Sequence, residues 1–180
     1  MSNKVHFQFF FSIIIVILLF SCKSQKKEAI EQNTTVNSKM DIPKKHTSKK
    51  LDSLSLNNIR LWKEYFDLKD FLKVYEEISS REALNNALEL KQLTKLAKDS
   101  IDIEELKAPA FKARINVFQN EVLRLADMTY IPAITAKEID LQVKNVFSTF
   151  SSLNSKIEHT FRKKSFDNSV KIDSIFNKIR

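Results

Sequence analysis

One stretch decides the fold class: residues 135–161, TAKEIDLQVKNVFSTFSSLNSKIEHTF, in which apolar residues recur at alternating spacings of three and four. This spacing places side chains on one face of an α-helix. Thr135 with Glu138 forms a capping box, and Ile134 can pack on Ile139 as a hydrophobic staple. We therefore predict an amphipathic helix from Thr135 to about Lys164, with an inward stripe of Ile139, Val143, Val146, Phe150, Leu153, Ile157 and Phe161.

The same rhythm occurs three times upstream of this helix. A capping box at Ser79 and Glu82 predicts a helix start near Ser80. Pro109 suits the first turn of the next helix, and Pro132 ends it by restricting Ile131. The three stripes comprise Leu51, Leu54, Asn58, Leu61, Tyr65, Leu68, Leu72 and Tyr75; then Ala83, Ala87, Leu90, Leu93 and Ala97; then Phe111, Ile115, Phe118, Val122 and Leu125.

These four helices predict an all-α domain. No segment alternates apolar and polar residues long enough to indicate a strand. Amphipathic helices with short connections pack most simply as an antiparallel four-helix-type bundle. The roughly 130 residues from 51 to 180 suffice for one hydrophobic core. Phe166, Val170, Ile172 and later apolar residues indicate a short C-terminal fifth helix or an extension of the fourth.

The N-terminus has the pattern of a secretory signal. Lys4 is followed by an apolar run from Phe7 to Phe20, which only Gln8 and Ser12 interrupt. A helix of this length rises about 21 Å, less than the roughly 30 Å hydrocarbon core of a bilayer. A short apolar run after a basic start is typical of a signal peptide. The alternatives are a retained membrane anchor and a buried core helix.

The run ends in Leu19, Phe20, Ser21 and Cys22, a sequence that resembles the lipobox of bacterial lipoproteins. The resemblance implies that residues 1–21 are a signal peptide that is removed. It also implies that a diacylglycerol is attached to the sulfur of Cys22 and that the new N-terminus is acylated. Lys23 stands where such lipoproteins often carry an Asp that retains them in the inner membrane. The expected location is therefore the cell envelope, anchored in the outer membrane and facing the periplasm, although inner-membrane retention and surface exposure stay open.

Residues 22–50 are expected to be a lipidated cysteine followed by a disordered basic linker. Residues 23–50 carry a net charge of +5 and show no apolar stripe. Residues 51–161 carry −2, and residues 162–180 carry +4. The basic linker could attract anionic lipid headgroups or could simply be solubilising. Because the body of the domain is nearly neutral, we do not expect it to bind nucleic acid.

The sequence indicates a non-enzymatic protein. It contains no glycine, which phosphate-binding loops, dinucleotide-binding turns and nucleophile elbows all require. His46 lies in the expected linker, and His159 projects opposite the stripe of its helix. A haem held by His159 and Met128 is therefore disfavoured, and we expect no catalytic residue, metal ligand or cofactor.

Two functions are consistent with these patterns. Ile59, Trp62 and Phe66 lie roughly 80–120° from the centre of the first stripe. They could anchor an envelope protein partner, or they could be core residues of a helix wedged between two neighbours. The main expectation is thus a lipid-anchored envelope protein with a helical binding or structural domain, of open oligomeric state. The alternative is a carrier of a small ligand, metal or haem inside the bundle, which inward polar clusters would favour; we expect none.

Overall fold

Three helices of the protein begin close to the predicted start signals, whereas the first and second predicted helices are each split in two. A computed structural model describes residues 42–170. Within that range the α-helices are α1 (Ser53–Asn58), α2 (Lys63–Leu72), α3 (Ser80–Asn85), α4 (Ala87–Asp99), α5 (Pro109–Asp127) and α6 (Ala136–Val170). Short 3-10 turns occupy Lys73–Glu76, Glu104–Leu106 and Met128–Tyr130. The described chain is mostly helical, which confirms the all-α class.

Both predicted capping boxes are present. Glu82 N donates to Ser79 Oγ over 3.3 Å, while Ser79 N donates to the Glu82 carboxylate over 3.1 Å. The same reciprocal pair joins Thr135 and Glu138, over 3.3 Å and 2.9 Å. The Ser79 and Thr135 hydroxyls hold the pKa of Glu82 and Glu138, respectively, below their usual range. Pro109 lies in the first turn of α5, as predicted.

The predicted first helix is broken. The chain turns between Ile59 and Trp62, where Trp62 N donates to Ile59 O instead of continuing the helical ladder. The turn changes the direction of the following side chains, so the two halves of the predicted stripe do not share one face. Leu61, predicted to point inward, is 87% exposed, whereas Ile59, for which the sequence allows either anchor or core, is fully buried. Downstream of the turn the prediction is correct, since Tyr65, Leu68, Leu72 and Tyr75 are buried.

Helix α6 is the longest element of the described chain. It contains 35 residues, which correspond to about 52 Å, and every residue of its predicted stripe is buried. The helix continues through Lys164 to Val170, so residues 164–170 extend the fourth predicted helix and start no new one. Residues 171–180, where the rest of the proposed fifth helix would lie, are outside the described range. Among the helices between 42 and 170, none combines the length and apolarity needed to cross a membrane.

The core forms where α6 packs against α5, α5 against α4, and α4 against α2. Helices α5 and α6 run antiparallel, because Gln142 contacts Glu121 and Ser152 contacts Arg114. The third stripe is buried as predicted, and Phe118 packs against Phe150 with ring centroids 5.3 Å apart. The short helices α1 and α3 pack on α6.

The end of the predicted linker belongs to the folded unit. Strand β1 (Lys44–Lys45) pairs antiparallel with β2 (Glu77–Ile78), with Lys44 opposite Ile78. His46 N continues this pairing by donating to Glu76 O over 2.7 Å. We name residues 44–50 the N-terminal strap. The prediction of disorder up to residue 50 is therefore wrong for the strap, as is the expectation of an entirely strand-free fold; residues 22–41 lie outside the described range.

Candidate functional site

The N-terminal strap is bound to α6 by hydrogen bonds between the strap backbone and α6 side chains. Lys49 N donates to Ser151 Oγ over 3.0 Å, and Lys49 O accepts from Asn154 Nδ2 over 2.6 Å. Upstream in the strap, the His46 ring stacks on Phe147 with centroids 5.6 Å apart. The strap therefore runs along α6 in the direction of that helix, although its residues precede their partners by about a hundred positions.

Asn154 joins three parts of the fold. Its side chain is 2% exposed, and its Oδ1 accepts a hydrogen bond of 2.9 Å from the Tyr65 hydroxyl on α2. Its amide nitrogen binds the strap at Lys49. Burial raises the pKa of Tyr65, so the phenol stays protonated and donates at physiological pH. Both ends of the buried amide are thus paired, which a polar side chain in a core requires.

Glu158, one helical turn beyond Asn154, is a buried carboxylate. Its side chain is only 7% exposed, and Lys49 Nζ lies 2.5 Å from its Oε2. Its other oxygen accepts from Asp52 N over 3.2 Å. Arg162 is near Glu158 at 3.9 Å and pairs with Asp52 at 2.9 Å. Because a buried carboxylate needs partners for its charge, these contacts fix the junction between the strap, α1 and α6.

A cavity of about 270 Å³ opens beside this polar network, between the strap, α1, α2 and α6. Its apolar walls come from Leu51 and from side chains of α1, α2 and α6, and its single buried amide is that of Asn154. Lysine side chains dominate the rest of the lining. The lining residues are Ser48, Lys49, Lys50, Leu51, Leu56, Tyr65, Lys69, Leu72, Lys73, Glu76, Phe150 and Asn154.

The residues suggested as a partner-binding anchor are mostly core. Ile59 is fully buried, and Trp62 is 3% exposed, with its indole N–H donating to Ala97 O over 3.0 Å. Phe66 is half-buried and meets Tyr65 edge-on, with ring centroids 5.4 Å apart. The exposed-anchor interpretation is therefore wrong for Ile59 and Trp62, because the turn before α2 directs both side chains inward and α4 covers the indole. Cys22, the predicted lipid attachment point, lies outside the described range.

His159 is exposed, as its position opposite the stripe predicted. It borders a surface depression together with Arg114, Ser152, Ser155 and Lys156. Met128 follows α5 and lies near the start of α6, roughly 36 Å along the helix from His159. The two residues are therefore too far apart to hold one haem. In the described part of the chain, no group of three or more His, Cys, Asp and Glu side chains is arranged to hold a metal ion.

The sequence analysis missed the buried polar cluster of Tyr65, Asn154 and Glu158 with Lys49. The expectation of no inward polar cluster is wrong at this site. A partial signal existed, since Asn154 and Glu158 are four residues apart beside the buried Leu153 and Ile157. Their partner Lys49 lies in a segment with the composition of a linker, so helical periodicity could not reveal the pair.

No protein-family model matches the chain, and no curated protein or solved structure is significantly similar to it.

Proposed function

We propose that this protein is a non-enzymatic, lipid-anchored binding protein of the cell envelope that holds a small ligand in the cavity beneath the N-terminal strap. The cavity carries the proposal. It combines apolar walls with a few polar groups, the usual composition of a small-molecule site. The absence of glycine from the sequence, which removes common catalytic loops, supports the non-enzymatic part.

The structure favours a small ligand over a protein partner for two reasons. The partner interpretation depended on an exposed Trp62, whereas the indole is buried and hydrogen-bonded. The small-ligand alternative depended on inward polar groups, and Asn154 is one at the cavity wall. Haem and metal are not proposed as ligands.

The anchor in the proposal rests on the lipobox-like sequence that ends at Cys22. Acyl chains contribute about 0.8 kcal/mol per buried methylene, so two or three chains give stable attachment. With Lys23 after the cysteine, we propose the outer membrane, with the domain facing the periplasm. The segment before the strap would supply reach.

The helical arrangement that holds the cavity is proposed to be an antiparallel four-helix-type bundle of α2, α4, α5 and α6. The chain of contacts from α2 to α4, α5 and α6 supports this arrangement.

Mass spectrometry of the N-terminal peptide tests the anchor. We expect a di- or triacylated Cys22 as the first residue of the mature protein and a fully soluble Cys22→Ala protein once the signal is removed. An unmodified thiol, or membrane attachment that survives this substitution, would refute the lipid anchor.

Native mass spectrometry of the purified mature chain tests the binding part. We expect a small molecule to co-purify and to be lost in Leu56→Trp, which places a large side chain in the cavity wall. Leu54→Trp is the matched control, because Leu54 lies on the same helix but is exposed and does not line the cavity. Retention of the molecule by Leu56→Trp would argue against the cavity as its site.

A further inference from the structure

The lining of the strap cavity is strongly basic. Lys49, Lys50, Lys69 and Lys73 contribute four positive charges, and Glu76 contributes the one negative charge. Four lysines around a small cavity raise its potential and attract anions.

Two of the four lysines are already neutralised by the fold. Lys49 is paired with Glu158 at 2.5 Å, and Lys73 with Asp70 at 2.9 Å. Among the ion pairs of residues 42–170, none includes Lys50 or Lys69. Lys69 instead lies over the Phe66 ring, with Nζ 5.2 Å from the centroid. The strap and α2 therefore each present one ammonium group outside any ion pair of the described chain, although Asp70 is close enough for Lys69 to help lower its pKa.

The walls below these lysines are apolar. Leu51 and Leu56 are half-buried at the cavity, whereas Leu72 and Phe150 form its buried floor. The volume of about 270 Å³ exceeds the roughly 150 Å³ that accommodates benzene, and it falls just below the range of drug-sized ligands. The site therefore suits one short apolar chain or ring.

We propose that the ligand is an amphipathic anion, a carboxylate or phosphate that places one acyl chain in the cavity and its head between Lys50 and Lys69. This inference rests on the proposed function and specifies its ligand class. A free fatty acid and an anionic membrane lipid share this chemistry. A protein anchored to a membrane would have access to both.

Titration calorimetry with decanoate and decanol, both below their aggregation thresholds, tests the proposal. The protein is the mature chain 22–180 with Cys22→Ala, which needs no detergent. We expect decanoate to bind about five- to tenfold more tightly than decanol, because two partly exposed ion pairs each contribute a modest attraction.

Two double variants separate the site from general charge. Lys50→Gln with Lys69→Gln should reduce the preference for decanoate to within about twofold, while the free energy of unfolding stays close to that of the parent chain. Lys45→Gln with Lys63→Gln is the matched control, since it removes the same charge from the strap and α2 outside the cavity lining. It should keep the preference. Leu56→Trp should abolish the binding of both ligands.

Vesicles identify the source of the ligand. Binding to phosphatidylglycerol vesicles, absent with phosphatidylcholine and lost in Leu56→Trp, would indicate a membrane lipid. Decanoate binding with vesicle binding unaffected by Leu56→Trp would indicate a free acid. Both outcomes support the anionic amphiphile.

The results that overturn the inference differ from those that overturn the proposed function. Equal affinity for decanoate and decanol, or no decanoate binding, would refute the anionic class. A different co-purifying molecule lost in Leu56→Trp would then still support a ligand cavity.

Discussion

At the scale of single residues, Leu61 and Trp62 show that neighbouring positions can differ completely in burial. They are adjacent, yet Leu61 is 87% exposed and Trp62 is 3% exposed. The indole ring lies 5.1 Å from the Tyr65 ring and 6.2 Å from the Phe111 ring, between centroids. Trp62 therefore contributes to folding, although it is the only tryptophan and was a candidate anchor.

We expect Trp62→Ala to lower the free energy of unfolding by roughly 3–5 kcal/mol, because it leaves a large cavity and removes the indole hydrogen bonds to Ala97 O and Ser100 Oγ. Urea denaturation measures the change. Leu61→Ala, the control at the neighbouring exposed position, should stay within about 0.5 kcal/mol of the natural protein. An unchanged free energy of unfolding in Trp62→Ala would indicate that the indole is exposed, and would again favour the partner-binding interpretation.

His46 is the second residue with a distinct role. Its side chain is 9% exposed, and its Nε2 lies 3.4 Å from Asp140. Burial lowers the pKa of His46, Asp140 partly opposes this effect, and Lys44 adds to it. The folded protein therefore favours the neutral imidazole on Phe147.

This lowered pKa predicts a loss of stability in weak acid. Below the unfolded pKa of about 6.5, the unfolded chain binds a proton at His46 more readily than the folded chain. The contribution of His46 should therefore fall as pH drops from about 7 through 6.5 and level off below the folded pKa. Thermal melts of the natural protein and His46→Gln across this range measure the difference. The variant should show a weaker pH dependence.

Substitution of His159, the other histidine within 42–170, is the control for this experiment. It removes an exposed histidine, so it controls for the His-to-Gln change itself. If His46→Gln and the natural protein lose stability in parallel, the strap histidine is not responsible.

At the scale of elements, the N-terminal strap is the least expected part of the fold. It supplies a strand partner to β2, a carbonyl to Asn154 and a cation to Glu158. Residues 42–50 therefore belong to the domain, whose N-terminal boundary lies earlier than the predicted residue 51.

We expect a chain that begins at residue 51 to be less stable than one that begins at residue 42, by about 2–4 kcal/mol. The shorter chain leaves an Asn154 donor and part of the Glu158 charge without partners. Denaturation of both chains measures the difference. The chain that begins at residue 42 is the reference, since it lacks only residues 22–41 of the expected mature protein. Equal denaturation midpoints for the two chains would show that the strap contributes nothing to stability.

At the scale of the whole molecule, the interface between α5 and α6 forms the main part of the hydrophobic core. Phe118 and Phe150 meet across this interface and are both fully or almost fully buried. Phe150 also stacks on Tyr65 at 6.0 Å and lines the cavity, so the core and the candidate site share a side chain.

Phe118→Ala and Phe150→Ala should each cost roughly 3–5 kcal/mol and shift one cooperative helical melt to lower temperature. Circular dichroism and calorimetry measure the effect. Val117→Ala, at a 48% exposed position beside Phe118, is the control and should change little. A melt that splits into two transitions would show that α5 and α6 do not form one cooperative unit.

The sequence by itself determined the helical class, both capping boxes, the Pro109 start of α5 and the buried stripes of α5 and α6. These features depend on residues within one or two helical turns of each other, so local spacing contains the information. The lipobox-like end of the apolar run is equally local, and the anchor it predicts stays a prediction.

The tertiary structure decided the turn before α2, the burial of Trp62, the strap and the cavity. The sequence left Trp62 as either core or surface, and the contact with α4 shows that it is core. The sequence placed Lys49 in an apparent linker, whereas its contacts with Glu158 and Asn154 place it in the folded domain. A buried carboxylate or amide is stabilised only by partners, and here those partners come from positions about a hundred residues away in the chain. No local pattern encodes such a pair, because the pairing exists only once the helices have packed.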